Sequence, residues 1–337
     1  MSLPQPATAF EPVEALLYAG IASKGLLAAL ELGLFGHLEN GELDLEQLAA
    51  KTGTRPERLE PLLELLASRG LLVKERGYAN TPTASEYLVP GKPLYQGHAL
   101  ALNASFMASL EKDLAGTLGR DDKALDVSEA CWSLDAVMEG TAAYARTGAL
   151  QRVTRFLVGL PGFSDMRTLC DVGGNHGEFS MALLDANPNL RAVILDLPHV
   201  AEASLQRCRQ RGYGERIEAR AFDLRVDSPA QDAYDVILVS HVLYGAAGDL
   251  APVVGRLAAA LRPGGWLVSH HFAPGGREAG VEACHELITR LAGYPTHFLA
   301  RHRLEQPMAA HGLGDFLADL PEAPLGGGLI LAGRKPA

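Results

Sequence analysis

The sequence predicts an α/β protein: a doubly wound, mostly parallel sheet preceded by a helical module with the element order of a winged helix. Three observations predict it. After residue 165, five short β-rich runs ("RTLCDVG", "RAVILDL", "RIEARAF", "YDVILVS", "GGWLVSHHF") occur with helical stretches between most of them, as in βαβ units. The first run leads into a glycine-rich turn and a helix, "TLCDVGGNHGEFSMALL" (168–184). The first hundred residues read as helix, helix, helix and a small hairpin.

Each element has a local justification. "EPVEALLYAGIASKGLLAALELGLFGHL" places apolar residues three and four apart, and Gly33 punctuates a helix end. "LDLEQLAAKTGTRPERLEPLLELLASRGLL" gives two amphipathic helices with a turn at Gly53–Pro56, and "LVKERGYANTPTASEYL" gives a hairpin turning at Gly77. A winged helix suggests DNA binding, but its second and third helices carry Asp44, Glu46, Glu57, Glu60 and Glu64 beside few cations. Residues 101–165 continue as helices, and "LPGFSD" (160–165) punctuates a boundary. The expected domains are 1–105, winged-helix-like; 106–165, a helical linker; and 166–337, the sheet domain. The closing "GGGLILAGRK" adds a strand, read as an antiparallel edge.

Composition narrows the function. A chain of 337 residues with 47% hydrophobic residues suits two folded domains. A formal charge of −10 has the wrong sign for a broad phosphate-backbone footprint, so no nucleic-acid partner is expected. Cys131, Cys170, Cys208 and Cys284 are widely spaced, as reduced thiols would be. "MSLPQPATAFEP" lacks a signal-peptide pattern, and no apolar run is expected to reach membrane-spanning length, "ASKGLLAALELGLFGHLENG" being interrupted by charges and glycines. A soluble, cytoplasmic protein without a membrane partner is the simplest expectation.

In an open α/β sheet, ligands bind beyond the carboxyl ends of the strands near the switch in strand order, where the Gly173–Gly177 loop falls. Three successive strands end at aspartates: Asp171 before the glycines, Asp196 after the second strand and Asp223 after the third. A carboxylate at Asp171 opposes a pyrophosphate but attracts a ligand carrying an ammonium and a sulfonium. Asp196 is placed to accept hydrogen bonds from ribose hydroxyls, and Asp223 to face the adenine end. Three successive strands ending in aspartate favour S-adenosylmethionine over a nicotinamide dinucleotide, and Leu197 and Leu224, which follow Asp196 and Asp223, are expected among the cofactor-binding residues.

"LPGF…TLCDVGGNHGEFSMALLDANPNLRAVILDLPHV" resembles the class I, Rossmann-like S-adenosylmethionine-dependent methyltransferases, and more narrowly the plant-type O-methyltransferases and their bacterial members. The resemblance covers nearly the whole chain and implies a homodimer, whose N-terminal region dimerises and helps to wall the pocket for a small-molecule acceptor. The sequence departs from the family in four places. Asn175 stands at the middle glycine of the loop, as a residue that tolerates a left-handed backbone, and His176 beside it is expected at a solvent or cofactor edge. In "VLYGAAGD", Tyr244 replaces the family's base histidine, with Gly245 and Ala246 where Asp and Trp usually follow. Ser240 takes the place of a cofactor-contacting lysine, and His271 that of an acidic partner.

A ring-carbon-methylating subgroup, from bacteriochlorophyll biosynthesis, is more similar at these positions. The resemblance implies that Tyr244 and His285 form an acid–base pair, with His285 the base at neutral pH and Tyr244 the orienter or donor. Alternatively, Tyr244 fills volume left by the missing tryptophan. His270 and His271 alternate on their strand, so at most one is expected to enter the site; His241 is a pocket-lining candidate if its turn is helical. His270, His271, His285, His297 and His302 cluster in sequence with Cys284 but lack zinc spacing, so no metal is expected. The leading expectation is methyl transfer from S-adenosylmethionine to an aromatic or conjugated small molecule, at oxygen or ring carbon. The alternatives are a non-methylating enzyme of the same fold and, behind it, a DNA-binding regulator.

Overall fold

In the computed structural model, which describes residues 3, 5–111, 113–119, 129–320 and 328–337, contacts divide the chain into two units, Met1–Ala104 and Ser105–Ala337. Residues 106–165, read from the sequence as a separate linker, fall in the second unit; residues 112 and 120–128 of that stretch lie outside the described residues.

The first unit holds α1 (Glu11–Glu31), α2 (Leu34–His37), α3 (Leu45–Thr52), α4 (Pro56–Ser68), the hairpin β1 (Leu72–Lys74) and β2 (Tyr78–Asn80), α5 (Pro82–Tyr87) and the start of α6 (Gly97–Leu110). Gly33, at φ +63°, separates α1 from α2. Asp44 Oδ1 accepts from Gln47 N–H while Gln47 Oε1 accepts from Asp44 N–H, a capping box that starts α3. Leu34, Phe35, Leu48, Leu63 and Tyr78 form a closed core. The N-terminal half of α1 is different: Val13, Leu16, Leu17, Tyr18 and Ile21 are each at least half exposed. By length and composition this 21-residue helix is apolar enough to cross a membrane, which corrects the expectation that no run is. The apolar run starts at Val13, well before the stretch considered above.

The second unit contains the rest of α6, α7 (Leu114–Leu118), α8 (Asp135–Ala145), α9 (Ala149–Val158), β3 (Thr168–Val172), α10 (Glu178–Ala186), β4 (Arg191–Asp196), α11 (Pro198–Gln210), β5 (Ile217–Ala221), β6 (Tyr234–Ser240), α12 (Ala251–Ala260), β7 (Leu261–His271), α13 (Ala279–Leu291), α14 (Arg301–Ala310), β8 (Gly314–Asp319) and β9 (Leu329–Arg334). The sheet order is β5-β4-β3-β6-β7-β9-β8. The five strands β3 to β7 are parallel, and β9 is antiparallel to both β7 and β8. One face buries Val239, Leu267 and Leu331 with Leu257, Leu304 and Met308; the other buries Val236, Val268 and Trp266 with Leu157, Leu183 and Leu184. Two apolar faces require helices on both sides, which makes the sheet doubly wound.

One strand differs from expectation. The closing strand β9 is internal, and the edge is β8, "GDFLAD", which the sequence reading missed. Its apolar signal is weak: half its residues point to solvent, Asp315 has φ +48°, and the register shifts between Gly314 and Leu317.

Candidate active site

The chain proceeds from β3 outward through β4 to β5, then returns to β6 on the other side of β3. The order therefore reverses between β3 and β6, and the loops following these two strands face each other. They are "GGNHG" and "HVLYG", and they touch: a Cβ on Gly173, which has φ +69°, would lie 2.6 Å from Val242 Cγ2. At the loop's far end Gly177, at φ +73°, allows no side chain either, because a Cβ there would lie 2.6 Å from Cys208 Sγ. Between them Asn175 takes φ +38°, the left-handed conformation anticipated for it.

The two aspartates beneath this loop do different work. Asp196 Oδ2 accepts from Asn175 N–H at 3.0 Å and Oδ1 from Leu197 N–H at 2.8 Å, so the carboxylate braces the loop. Each oxygen keeps a lone pair for further donors such as ribose hydroxyls. Asp171 is buried, and its Oδ2 accepts from Ser180 Oγ at 2.7 Å. Burial, with the nearby Asp196 charge, pushes its acid up to about 6. A glycine cradle over a buried carboxyl, with a second carboxylate at its rim, fits a nucleoside bearing a cationic group. Half-buried Leu197 and Leu224 follow the two rim aspartates, and Leu224 O accepts from Arg256. Asp223 is ion-paired with Arg225 at 2.8 Å, and Arg225 reaches Glu129 at 2.8 Å.

His176 is buried rather than at a solvent edge: its Nδ1 accepts from Glu178 N–H at 3.1 Å, capping α10, and burial lowers its pKa to about 4. Asn175 also serves as more than a glycine substitute. Its Nδ2 donates to Trp132 O (3.0 Å) and its Oδ1 accepts from Thr141 Oγ1 (3.3 Å), tying the loop to the Glu129–Ser133 turn and to α8. His199 Nε2 meets Glu129 O, so that turn contacts the loops after β3 and β5 and the start of α11.

Beyond β6 lies a cluster of histidines and aromatics. Tyr244 OH is 2.7 Å from His241 Nδ1 and accepts from Phe272 N–H at 3.0 Å. Since Phe272 N–H can only donate, the phenol hydrogen points to His241, and burial raises the Tyr244 pKa. His241 sits at φ +54° and, through burial, is held neutral well below its usual pKa. His270 Nδ1 meets Ser240 Oγ at 2.9 Å, while its buried Nε2 has no hydrogen-bond partner among the described residues. His271 Nε2 accepts from Val242 N–H and Leu243 N–H, and its Nδ1 meets Ser269 Oγ, which fixes a neutral ring. These two histidines do lie on opposite faces of β7, but both reach the site. His241, turned over the strand ends, has their rings 4.5 and 6.0 Å from its own.

Tyr244 and His285 share no hydrogen bond. His297 lies between them, stacked on Tyr244 (5.3 Å, 12°) and Phe272 (5.0 Å, 20°), with its Nε2 3.1 Å from His285 Nδ1. His302 is exposed on α14. Among the described residues, no group of three or more His, Cys, Asp or Glu could hold a metal ion. In the sequence His297 stands out only as one of several clustered histidines and His241 only as a lining candidate; nothing in the local spacing signals a shared hydrogen bond. Asn175, by contrast, was visible as a departure from the glycine pattern.

Two family models match the chain, an O-methyltransferase dimerisation domain over residues 15–90 and an O-methyltransferase domain over residues 147–282. The chain is 31% identical over 228 residues to a 3-hydroxy-5-methyl-1-naphthoate 3-O-methyltransferase of Streptomyces sahachiroi, covering 65% of this chain and 64% of that one, just under two thirds of its length. It is 29% identical over 255 residues, 72% of each chain, to the bacteriochlorophyllide d C-20 methyltransferase of Chlorobaculum tepidum. Human N-acetylserotonin methyltransferase, solved in complex with S-adenosylmethionine, shares the fold at a TM-score of 0.76 and 21% identity, over 99% of this chain and 100% of that one. The chain belongs to the S-adenosylmethionine-dependent O-methyltransferase family, with an N-terminal dimerisation domain and a class I methyltransferase domain.

Proposed function

We propose that the protein is a homodimeric methyltransferase acting on a small aromatic or conjugated acceptor, at oxygen or ring carbon. The observation that carries this is the Asp196 carboxylate clamped to a glycine loop that abuts the Tyr244 turn at the sheet's switch point. In this reading Asp171, Gly173, Gly177, Asp196 and Leu197 hold the nucleoside and its cationic end. Asp223, Leu224 and Ser240 flank it. S-adenosylmethionine, when bound, supplies a methyl group already activated by its sulfonium. Positioning can then provide much of the rate enhancement, which is consistent with the loss of the usual histidine.

Tyr244 and His285 act on the acceptor. The Tyr244 hydroxyl, held by His241 and Phe272 N–H, orients it, and His285 takes the proton released on methylation. The two curated relatives support both acceptor atoms, since one is named for a naphthoate oxygen and the other for C-20 of a bacteriochlorophyllide. The dimerisation domain and the exposed apolar stripe on α1 support a second copy as the partner.

The test is incubation with methyl-labelled S-adenosylmethionine and a panel of phenols, hydroxynaphthoates and tetrapyrroles. Label is expected in one acceptor class, with Y244F and H285A lowering turnover at least tenfold while cofactor affinity stays within twofold. Consumption of acceptor without incorporation of label would instead favour a non-methylating reaction. Full turnover in both variants would remove the acid–base assignment.

A further inference from the structure

We propose that His297 is a positioning residue that holds His285 as the Nδ1–H tautomer, leaving the His285 Nε2 lone pair as the proton acceptor; this rests on the reading of His285 as the base. Three contacts fix the His297 ring. Its faces are stacked on Tyr244 and Phe272, its Nδ1 is 2.8 Å from Thr289 Oγ1, and its Nε2 is 3.1 Å from His285 Nδ1. The loop bearing it is tied down by Glu286, whose Oε2 accepts from His297 N–H (2.8 Å) and Thr296 Oγ1 (3.2 Å).

Two facing imidazole nitrogens can share a hydrogen bond only if one of them carries the proton. The tautomers of the two rings are therefore locked together. The Thr289 hydroxyl can play either role toward His297 Nδ1; a His285 that takes a proton at Nε2 requires it to accept from His297 Nδ1–H, which makes His297 Nε2 the acceptor and places the hydrogen on His285 Nδ1. Among the described residues His285 Nε2 has no hydrogen-bond partner, so it is the nitrogen left for substrate.

The proton balance is simple. The acceptor's oxygen or ring carbon forms the new bond to the methyl group, the electron pair of the broken S–C bond stays on sulfur, and the acceptor's O–H or C–H proton passes to His285 Nε2. The imidazolium formed donates Nδ1–H to His297 and later loses its Nε2 proton to water. The charged and titratable groups around the pair are Arg277, Glu286, Tyr244 and His241. Burial and the Arg277 charge hold His285 below its usual pKa; burial, His285 and Arg277 take His297 down to about 4. Both rings are thus neutral at pH 7, as the relay requires.

The test compares H297F, which keeps a ring for stacking but has no nitrogen, with H297Q, which keeps an acceptor oxygen. Long-range ¹H–¹⁵N spectra of histidine-labelled protein without acceptor should show His285 as Nδ1–H in the wild type and a tautomer mixture in H297F. With an acceptor, kcat should fall at least tenfold in H297F and recover in part in H297Q, with KM and cofactor affinity within twofold. An Nε2–H His285 in the wild type, or an unchanged tautomer and kcat in H297F, would overturn the inference. The spectra need no methyl transfer, so failure of the proposed function leaves this readout standing, and the reverse holds as well.

Discussion

At the scale of single residues, the Asp171 carboxyl illustrates a conflict between stability and binding. Buried under the loop, it is raised from its usual value near 3.8 to about 6. The folded protein therefore favours the protonated acid, so Asp171 destabilises it increasingly as pH rises from about 4 through 6. The cost above that window is on the order of 3 kcal/mol. A cationic ligand reverses the preference. S-adenosylmethionine affinity is expected to rise between pH 5 and 7, and that of the uncharged thioether product to rise less. D171N should unfold at a higher temperature than the wild type at pH 8, while binding the cofactor at least tenfold more weakly and without that pH dependence. Thermal scans and calorimetry across pH check both halves. An Asn variant neither stabilised nor impaired would show that the buried charge serves no ligand.

At the scale of elements, the loops after β3 and β6 behave as one unit, because Gly173 leaves no space between its backbone and Val242. G173A is expected to weaken cofactor binding at least tenfold, from the Cβ contact and the strained φ together. V242A alone should change affinity little, yet it should recover part of the G173A loss. A double-mutant cycle gives this coupling directly; additive effects would mean that the loops do not share the contact. The sequence made these loops legible because glycines, aspartates and strand ends fall in register along one chain. It did not make legible what depends on distant segments meeting. Trp132 O and Thr141 pin Asn175, and His297 reaches His285 across a turn held by Glu286. The strand β8 was hidden for a different reason, since its bulge and solvent-facing residues erase the period of two that marks a strand.

At the scale of the whole molecule, α1 presents Val13, Leu16, Leu17 and Ile21 at helical spacing along an exposed stripe. Such a stripe requires a cover, and the dimerisation domain over residues 15–90 supports a second copy. L17E/I21E is expected to shift the protein from dimer to monomer in analytical ultracentrifugation, with no dependence on detergent. A species that becomes dispersed only in detergent would favour a lipid surface on α1 instead.

Nucleoside binding at the switch point underlies every assignment above, and calorimetric titration of S-adenosylmethionine into the purified wild type and D196A tests it most directly. One site per chain is expected, with affinity at least tenfold weaker in D196A, a loss of about 1.4 kcal/mol or more from charge-assisted hydrogen bonds. Absence of binding to the wild type, or equal affinity in the two proteins, would contradict the account.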